Sequence, residues 1–171
     1  KTNTHALYLQ DTWRFAPAWS LTLGGRWERW QAYDGSNANR ASTPSQVSYS
    51  DRKKSAFSPK LSLGFQAAPD WHLRASLGKA TRFPTVTELF QAITTGPNRL
   101  ENDPNLQPER VRSGELAIEK SLDNGQARLS LFQENRYDAL ISQTDTTVMP
   151  NITSIQNVDK VRSRGVELSW G

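Results

Sequence analysis

The chain has 171 residues, of which 36% are hydrophobic, and its 21 Lys and Arg against 17 Asp and Glu give a net charge of +4. The length suits one domain, and the absence of cysteine excludes disulfides, Cys-ligated zinc and thiol chemistry. The basic residues are scattered rather than clustered, which argues against nucleic-acid binding. No apolar run approaches the roughly 18 residues of a membrane helix. The first residues, KTNTHALYLQ, lack an initiator Met and an apolar leader, so we expect the chain to be a fragment of a longer protein.

Alternating apolar and polar residues are the dominant pattern, and they predict strands with two unlike faces. In WSLTLGGRWERW, for example, Trp19, Leu21 and Leu23 share one face, whereas Ser20 and Thr22 share the other. The same alternation recurs along the chain, with little helix signal and no internal repeat. It predicts an all-β fold with about seven strands, in residues 4–15, 19–30, 61–67, 71–79, 110–121, 126–142 and 153–170.

Short and long connections alternate strictly between these strands. The short ones are APA at 16–18, APD at 68–70 and DNG at 123–125, and Asp-Asn-Gly is expected to supply the positive φ of a tight hairpin. The long polar ones are residues 34–55, 81–109 and 143–152. Outer-membrane barrels have short periplasmic turns and long outer loops. The alternation therefore predicts an antiparallel up-and-down meander in a transmembrane β-barrel, and seven strands are too few to close one alone.

Aromatic residues flank the short turns, as the interfacial girdle of a barrel requires. Trp13, Phe15 and Trp19 surround the first turn, and Phe65 and Trp71 surround the second. For each residue taken singly, the alternative that it belongs to the core of a soluble β-sandwich stays open.

Two arginines conflict with the barrel pattern. Arg162 and Arg164 fall on the same face as Val166 and Trp170, where a charge at the membrane midplane would cost about 2 to 4 kcal/mol. Either Gly165 marks a bulge that reverses the faces of the strand, or both arginines already lie near the outer rim of the membrane.

The sequence offers no constellation for catalysis or metal binding. His5 and His72 lie on different predicted strands, the carboxylates of ENDPNLQPE fit no calcium loop, and no phosphate loop, GxSxG or HExxH motif is present. We therefore predict that the protein is not an enzyme and carries no metal or cofactor of its own.

The segment TRFPTVTELF, residues 81–90, interrupts the alternation and predicts a helix start. Thr85 followed by Glu88 forms a capping box, and Pro84 precedes the cap. A short helical turn should follow, ending before the breaker TTGPN, with Phe83, Leu89 and Phe90 packing this outer loop onto the barrel wall. Arg82 would line the mouth.

This segment resembles the FRAPT..EL motif of TonB-dependent outer-membrane receptors. It is followed by DPNLQPE at 103–109, which resembles their NPNLKPE segment, and YLQDTW at 8–13 and FSPKLSL at 57–63 are similar to the family as well. The ordered set of motifs covers nearly the whole chain. The residues that carry it are Phe83, Pro84, Thr85, Glu88, Leu89, Pro104, Asn105, Leu106, Pro108, Glu109, Glu115, Asn157, Gly165 and Glu167.

The resemblance implies a barrel of about 22 strands in the bacterial outer membrane, plugged by a separate domain. Such receptors import scarce nutrients, most often ferric siderophores, with energy transmitted by the TonB complex. Residues 1–171 would then be a partial barrel domain without the plug, in contact with outer-membrane lipid. Haem receptors carry a His between the two motifs, and residues 84–103 contain none, which argues against haem.

Arginines near the long loops are the candidate ligand-binding residues, because they could attract an anionic ferric chelate. They are Arg82, Arg99 and Arg110. The alternative that they are ordinary solvated loop charges stays open. Two other classes of protein also stay open: another outer-membrane barrel, such as a porin or an autotransporter translocator, and a soluble β-sandwich binding module.

Overall fold

The structure, a computed structural model, describes residues 1–39 and 45–171. Within these residues it contains one short helix and eleven strands: β1 (Thr2–Ala16), β2 (Trp19–Ala32), β3 (Gly35–Asn39), β4 (Ser45–Tyr49), β5 (Arg52–Ala68), β6 (Trp71–Arg82), α1 (Val86–Phe90), β7 (Ala92–Thr95), β8 (Asn98–Glu101), β9 (Glu109–Leu122), β10 (Gly125–Asp145) and β11 (Asn151–Trp170).

The seven long strands form a curled meander in the order β1-β2-β5-β6-β9-β10-β11, in which every neighbouring pair is antiparallel. The predicted all-β fold is thereby confirmed and each of the seven predicted strands is present, but the predicted count of seven is too low. Four short strands were not predicted. The β7–β8 hairpin extends the sheet through a parallel pairing of β8 with β11, and β3 pairs only with β4.

The long connections are all shorter than predicted. The first is residues 33–51 rather than 34–55, and the second is residues 83–108 rather than 81–109. β10 continues to Asp145 and β11 begins at Asn151, so the third long connection is residues 146–150 rather than 143–152. The polar ends of these two strands pair with each other, as in the hydrogen bond between the Thr144 and Thr153 hydroxyls at 2.9 Å. Because these strand ends are mostly polar, the sequence shows no alternation of apolar and polar residues there. Among the described residues, no helix is both long enough and apolar enough to cross a membrane.

The two faces of the sheet differ in chemistry, as the alternation predicts. The register places one apolar residue of each strand in a single row: Trp13, Leu21, Leu63, Ala75, Leu116, Leu131 and Val166. We call this side the apolar face and the other the polar face. Large side chains of the apolar face are open to the surroundings, and Leu7 and Leu168 are 73% and 78% exposed. A sheet in water would bury such a face.

The aromatic residues cluster at the short-turn end. The Trp19 ring lies 6.3 Å from Phe15 and 4.4 Å from Phe65, between centroids. Lys120 Nζ lies 4.9 Å from the Trp71 ring. This arrangement fits a belt of aromatics at one membrane interface.

The expected positive φ in the third short turn is wrong. Among the described residues, positive φ occurs at Asp34, Asp138 and Gly96. Gly125 meets a different need, since a Cβ there would stand 2.3 Å from the Gly171 carbonyl oxygen. The backbones of Gln126 and Gly171 pair through hydrogen bonds of 2.7 and 3.1 Å, and glycine permits that close approach.

The proposed bulge at Gly165 is also wrong. β10 and β11 pair in continuous register from Ala127 and Trp170 to Tyr137 and Lys160, so Arg162 and Arg164 remain on the apolar face. Gly165 instead makes room for Phe132, whose ring would lie 2.9 Å from a Cβ at that position. The explanation that remains is a position near the outer rim.

The core lies at the long-loop end, on the polar face of β2. Trp30 and Ala32 lie on the same face of β2 as Arg26 and Glu28, nearer the long-loop end, and loop residues cover Trp30 and Ala32. The buried cluster is Trp30, Ala32, Leu89, Phe90 and Leu106, with Tyr49, Phe83, Leu140 and Ile155 packed against it. The loops are therefore folded onto the sheet.

Candidate functional site at the loop end of the sheet

The helix α1 starts as the sequence predicts. The Glu88 N–H donates to Thr85 Oγ1 at 3.4 Å, and the Thr85 N–H donates to Glu88 Oε2 at 2.8 Å, which completes the capping box. Burial raises the pKa of Glu88, but hydrogen bonds from Thr85 and Arg82 outweigh it and hold the pKa below its ordinary value. Glu88 is therefore ionised at neutral pH.

Aromatic stacking fixes this segment to the sheet. The Phe83 and Trp30 rings lie parallel, 5.7 Å apart between centroids. Pro84 and Leu89 are among the fully buried side chains. Because the chain enters α1 through a buried proline and leaves it through buried Phe90, the helix has little freedom to move on the sheet.

The segment DPNLQPE is held by an arginine that the sequence analysis did not single out. The Arg52 guanidinium donates to three successive carbonyls, those of Pro104, Asn105 and Leu106, the last two at 3.4 and 2.9 Å. Burial lowers the pKa of Arg52, whereas nearby Asp103 raises it. Leu106 is 1% exposed, so this fork holds the loop at the point where Leu106 packs into the core and supplies donors to its part-buried carbonyls.

Two asparagines connect the loops to one another. Asn102 donates from Nδ2 to the Thr87 carbonyl at 2.8 Å and accepts the Ile155 N–H at 3.1 Å. Asn157 donates from Nδ2 to the carbonyls of Gln107 and Asp138 at 3.0 and 2.8 Å. Helix α1, the DPNLQPE segment and β11 thus share one hydrogen-bond network.

The loop hairpins enclose a cleft of about 540 Å³. Asn37, Ala38, Val47 and Tyr49 line it from the β3–β4 hairpin, and Ala92, Ile93, Thr94, Arg99, Leu100 and Glu101 line it from β7 and β8. Asn37 Nδ2 donates to the Tyr49 hydroxyl at 3.2 Å, and the Tyr49 ring packs 5.2 Å from Phe90. Half of the ten lining residues are polar or charged, among them Arg99 and Glu101. The cleft therefore suits a small organic ligand that carries several polar or charged groups.

The three predicted ligand-binding arginines are not brought together. Arg82 pairs with Glu88, Arg110 with Asp138 at 2.6 Å, and Arg99 with Glu101 at 2.8 Å. Arg110 of β9 pairs with Thr81 of β6, and Arg82 follows Thr81 in the same strand. Because successive residues of a strand point to opposite faces, the side chains of Arg82 and Arg110 lie on opposite faces of the sheet. Arg99 alone among the three lines the cleft. With a carboxylate beside each, these arginines present less positive charge than the sequence suggests.

The other motif residues have contacts within the fold. Glu109, 7% exposed, accepts the Leu140 N–H at 3.0 Å and pairs with Arg136 at 3.7 Å. Glu115 pairs with Arg128, which also donates to Glu119 at 2.9 Å. Pro108 is half-buried and Glu167 is exposed on the polar face. The polar face thus carries a ladder of alternating charges.

Metal binding finds no support in the part of the chain that the structure describes, since no group of three or more His and acidic side chains converges there. His72 pairs with Glu119 at 3.5 Å on the polar face. The residues that the sequence analysis missed, Asn37, Tyr49, Arg52 and Asn102, act through contacts between distant segments and carry no local motif.

The sequence matches the family described as "TonB dependent receptor-like, beta-barrel" over residues 1–171. No curated protein matches it significantly. A solved structure of a double mutant of the Serratia marcescens hemophore receptor HasR, in complex with its hemophore HasA and heme, superimposes with a TM-score of 0.83 at 18% identity, covering 99% of this chain and 31% of that chain.

Two further structures share the fold. The copper transporter OprC gives a TM-score of 0.75 at 22% identity and covers 98% of this chain and 26% of that chain. The ferric yersiniabactin uptake receptor FyuA from Yersinia pestis gives 0.67 at 16% identity, with 99% and 24% covered. The chain therefore spans 31% or less of these three proteins, and identities this low show the fold alone.

Proposed function

Because the chain belongs to the TonB-dependent receptor-like β-barrel family, we propose that it forms seven strands of the wall of an outer-membrane receptor that imports a scarce nutrient with energy from the TonB complex. Proteins of this family are transporters of the bacterial outer membrane, so the prediction that the chain is not an enzyme is confirmed. The observation that carries the proposal is a sheet with one exposed apolar face, one charged face, and all its large loops at one end.

Residues 1–171 are then a portion of the barrel domain. The apolar face contacts lipid, and the polar face, with its Glu115, Arg128 and Glu119 ladder, faces the plug domain supplied by another part of the receptor. Charged groups that alternate in sign can pair with a partner of mixed charge. A passive porin would instead leave this face to water, so dependence of uptake on TonB separates the two functions.

The transported nutrient is a ferric siderophore in our proposal, and the cleft between the loop hairpins contacts it. Tyr49 supplies an aromatic wall and a hydroxyl, and Arg99 supplies the cation nearest the cleft. Solved structures with this fold include a ferric yersiniabactin receptor, a ferric-catecholate import receptor, a heme-bound hemophore receptor and a copper transporter. The absence of His in residues 84–103 favours the siderophore over haem.

The experiment is ligand-dependent quenching of tryptophan fluorescence in the full-length receptor, with a ferric catecholate, a ferric hydroxamate and haemin as probes. We expect one ferric siderophore to quench and haemin not to. Tyr49→Ala and Arg99→Ala should each weaken binding about tenfold, while Val86→Ala, at an exposed position outside the cleft, should not. Quenching by haemin alone would overturn the siderophore assignment, and uptake that continues without TonB would overturn the receptor function.

A further inference from the structure

The apolar face changes abruptly to basic residues on the loop side of β6, β9 and β11. Lys79 pairs with Arg112, Arg112 with Asn135, and Asn135 with Arg162 in one row across four strands. Arg164 and Lys160 occupy the next positions of the same face on β11. We call these five residues the outer basic patch: Lys79, Arg112, Lys160, Arg162 and Arg164.

No carboxylate balances this patch within the described residues. None of its five members forms an ion pair there, whereas Arg26, Arg128 and Arg136 on the polar face all do. The patch has only neutral partners: Arg162 Nε donates to Asn135 Oδ1 at 3.1 Å, and Arg112 and Lys160 lie 5.5 and 5.3 Å from the Tyr137 ring. Five cations thus face outwards with no counter-charge from the part of the chain that the structure describes.

The patch lies at the border of the apolar face, not inside it. On β11 the last apolar residue before the arginines is Val166, which shares a row with Trp13 of β1. On β1 the apolar residues of that face extend six positions beyond Trp13 towards the long-loop end, to Leu7. The border therefore shifts by about one residue per strand, as expected for strands tilted by about 35 to 45° from the membrane normal.

This stagger resolves the conflict that Arg162 and Arg164 pose in the sequence. A cation near the interface costs about 0 to 1 kcal/mol, against about 2 to 4 kcal/mol at the midplane. Asp138 pairs with the adjacent Arg110 rather than with any member of the patch. Tolerance alone would not gather five cations without an ion pair among them. Directly below the patch, Leu61, Leu63, Leu77, Leu116 and Leu131 line an apolar groove of about 600 Å³.

We propose that the outer basic patch binds the phosphates of anionic lipid headgroups in the outer leaflet, while the groove beneath it contacts their acyl chains. This inference rests on the membrane position in the proposed function. Guanidinium groups bind phosphate oxygens with two parallel hydrogen bonds, and clustered basic residues at a membrane interface select anionic lipids. Three strand spacings make the patch about 14 Å wide, enough for more than one phosphate.

The test is lipid retention by the full-length receptor in detergent, measured by native mass spectrometry. The probes are phosphatidylglycerol, a bis-phosphorylated glycolipid, its dephosphorylated form, and inorganic phosphate. We expect the wild-type protein to retain both phosphate-bearing anionic lipids and to release the dephosphorylated one. The triple variant Arg112→Gln, Arg162→Gln and Arg164→Gln should lose affinity at least tenfold.

Two control variants make the result specific. Arg112→Lys, Arg162→Lys and Arg164→Lys keep the charge and should retain most of the binding. Arg26→Gln, Lys60→Gln and Arg74→Gln remove the same charge from the polar face and should leave retention unchanged. Retention by the triple Gln variant, equal loss in the polar-face variant, or displacement of lipid by inorganic phosphate at equal concentration would overturn the inference. Membrane insertion is scored separately by heat-modifiable gel mobility: a protein that fails to insert contradicts the proposed function, whereas an inserted protein without lipid preference contradicts only this inference.

Discussion

Asn157 on β11 and Gln107 in the DPNLQPE segment form a two-way hydrogen bond across fifty residues of sequence. The Gln107 N–H donates to Asn157 Oδ1 at 2.8 Å, and Asn157 Nδ2 donates to the Gln107 carbonyl at 3.0 Å. The asparagine side chain thus pairs with a loop backbone as a neighbouring strand would. Its second donor hydrogen reaches the Asp138 carbonyl, where the positive φ of 53° interrupts the regular pairing of β10.

Replacing Asn157 with Ala should release the DPNLQPE segment from β11. Three hydrogen bonds disappear, of which the one to the Asp138 carbonyl is part-buried, and leaving a buried backbone group unpaired costs about 1 to 3 kcal/mol. Amide exchange of residues 103–109 in the full-length receptor should accelerate, while exchange in β6 and β9 stays slow. Gln156→Ala is the matched control because the Gln156 side chain is exposed and hydrogen-bonds to Ser154 within the same strand. Equal protection of the segment in both variants would contradict this role.

Arg52→Lys should destabilise the same segment although it keeps the charge. A single ammonium cannot reach the carbonyls of Pro104, Asn105 and Leu106 in the forked geometry of a guanidinium. We expect limited proteolysis to cut near residues 103–107 in Arg52→Lys and Arg52→Met alike. Lys53→Met, on the neighbouring exposed position, should leave the cleavage pattern unchanged. Protection restored by lysine would show that charge, not geometry, holds the loop.

The stability of α1 should depend on pH through Glu88. Its folded pKa is lowered, so its stabilising effect is fully present above the unfolded value of about 4.3 and is lost as pH falls through the folded pKa. Amide exchange at Leu89 and Gln91 should therefore lose protection as the pH falls below the unfolded pKa and through the folded pKa of Glu88. Glu88→Gln should lose part of that protection at pH 7 and show little further change on acidification. An unaltered pH profile in this variant would assign the effect to another group.

The sequence predicts those features whose cause is local. Period-two alternation located β2 because residues of the apolar face and the polar face alternate at each step, and the capping box located α1 because Thr85 and Glu88 are only three residues apart in the chain. The β3–β4 and β7–β8 hairpins have no such pattern, since their short polar strands are defined by pairing and by the packing of Tyr49 on Phe90. The pairing of Arg82 with Glu88 depends on how the chain turns at Pro84.

The roles of Arg52, Asn102 and Asn157 could not be predicted from the sequence, for the same reason. Each side chain binds backbone groups about fifteen to more than fifty residues away, a separation that no short motif encodes. Whether a loop arginine meets a ligand or a carboxylate is likewise decided by tertiary contacts, which is why Arg82, Arg99 and Arg110 appeared equivalent in the sequence but only Arg99 lines the cleft.

A charge placed within the apolar face tests the membrane position of the sheet most directly. Leu131 is 50% exposed and lies in one row with Leu116 and Val166. If the face contacts lipid, Leu131→Arg should lower the free energy of unfolding by about 2 to 4 kcal/mol, while Gln133→Arg, two residues closer to the outer basic patch, should lower it by about 1 kcal/mol or less.

Urea unfolding of the full-length receptor in phosphatidylcholine vesicles, followed by heat-modifiable mobility, measures both values. If the face were instead open to water, an arginine replacing this half-exposed leucine would change stability by no more than about 0.5 kcal/mol. The difference between the two variants therefore separates lipid from water as the solvent of this face, and equal unfolding of Leu131→Arg and Gln133→Arg would be incompatible with a barrel wall at this depth.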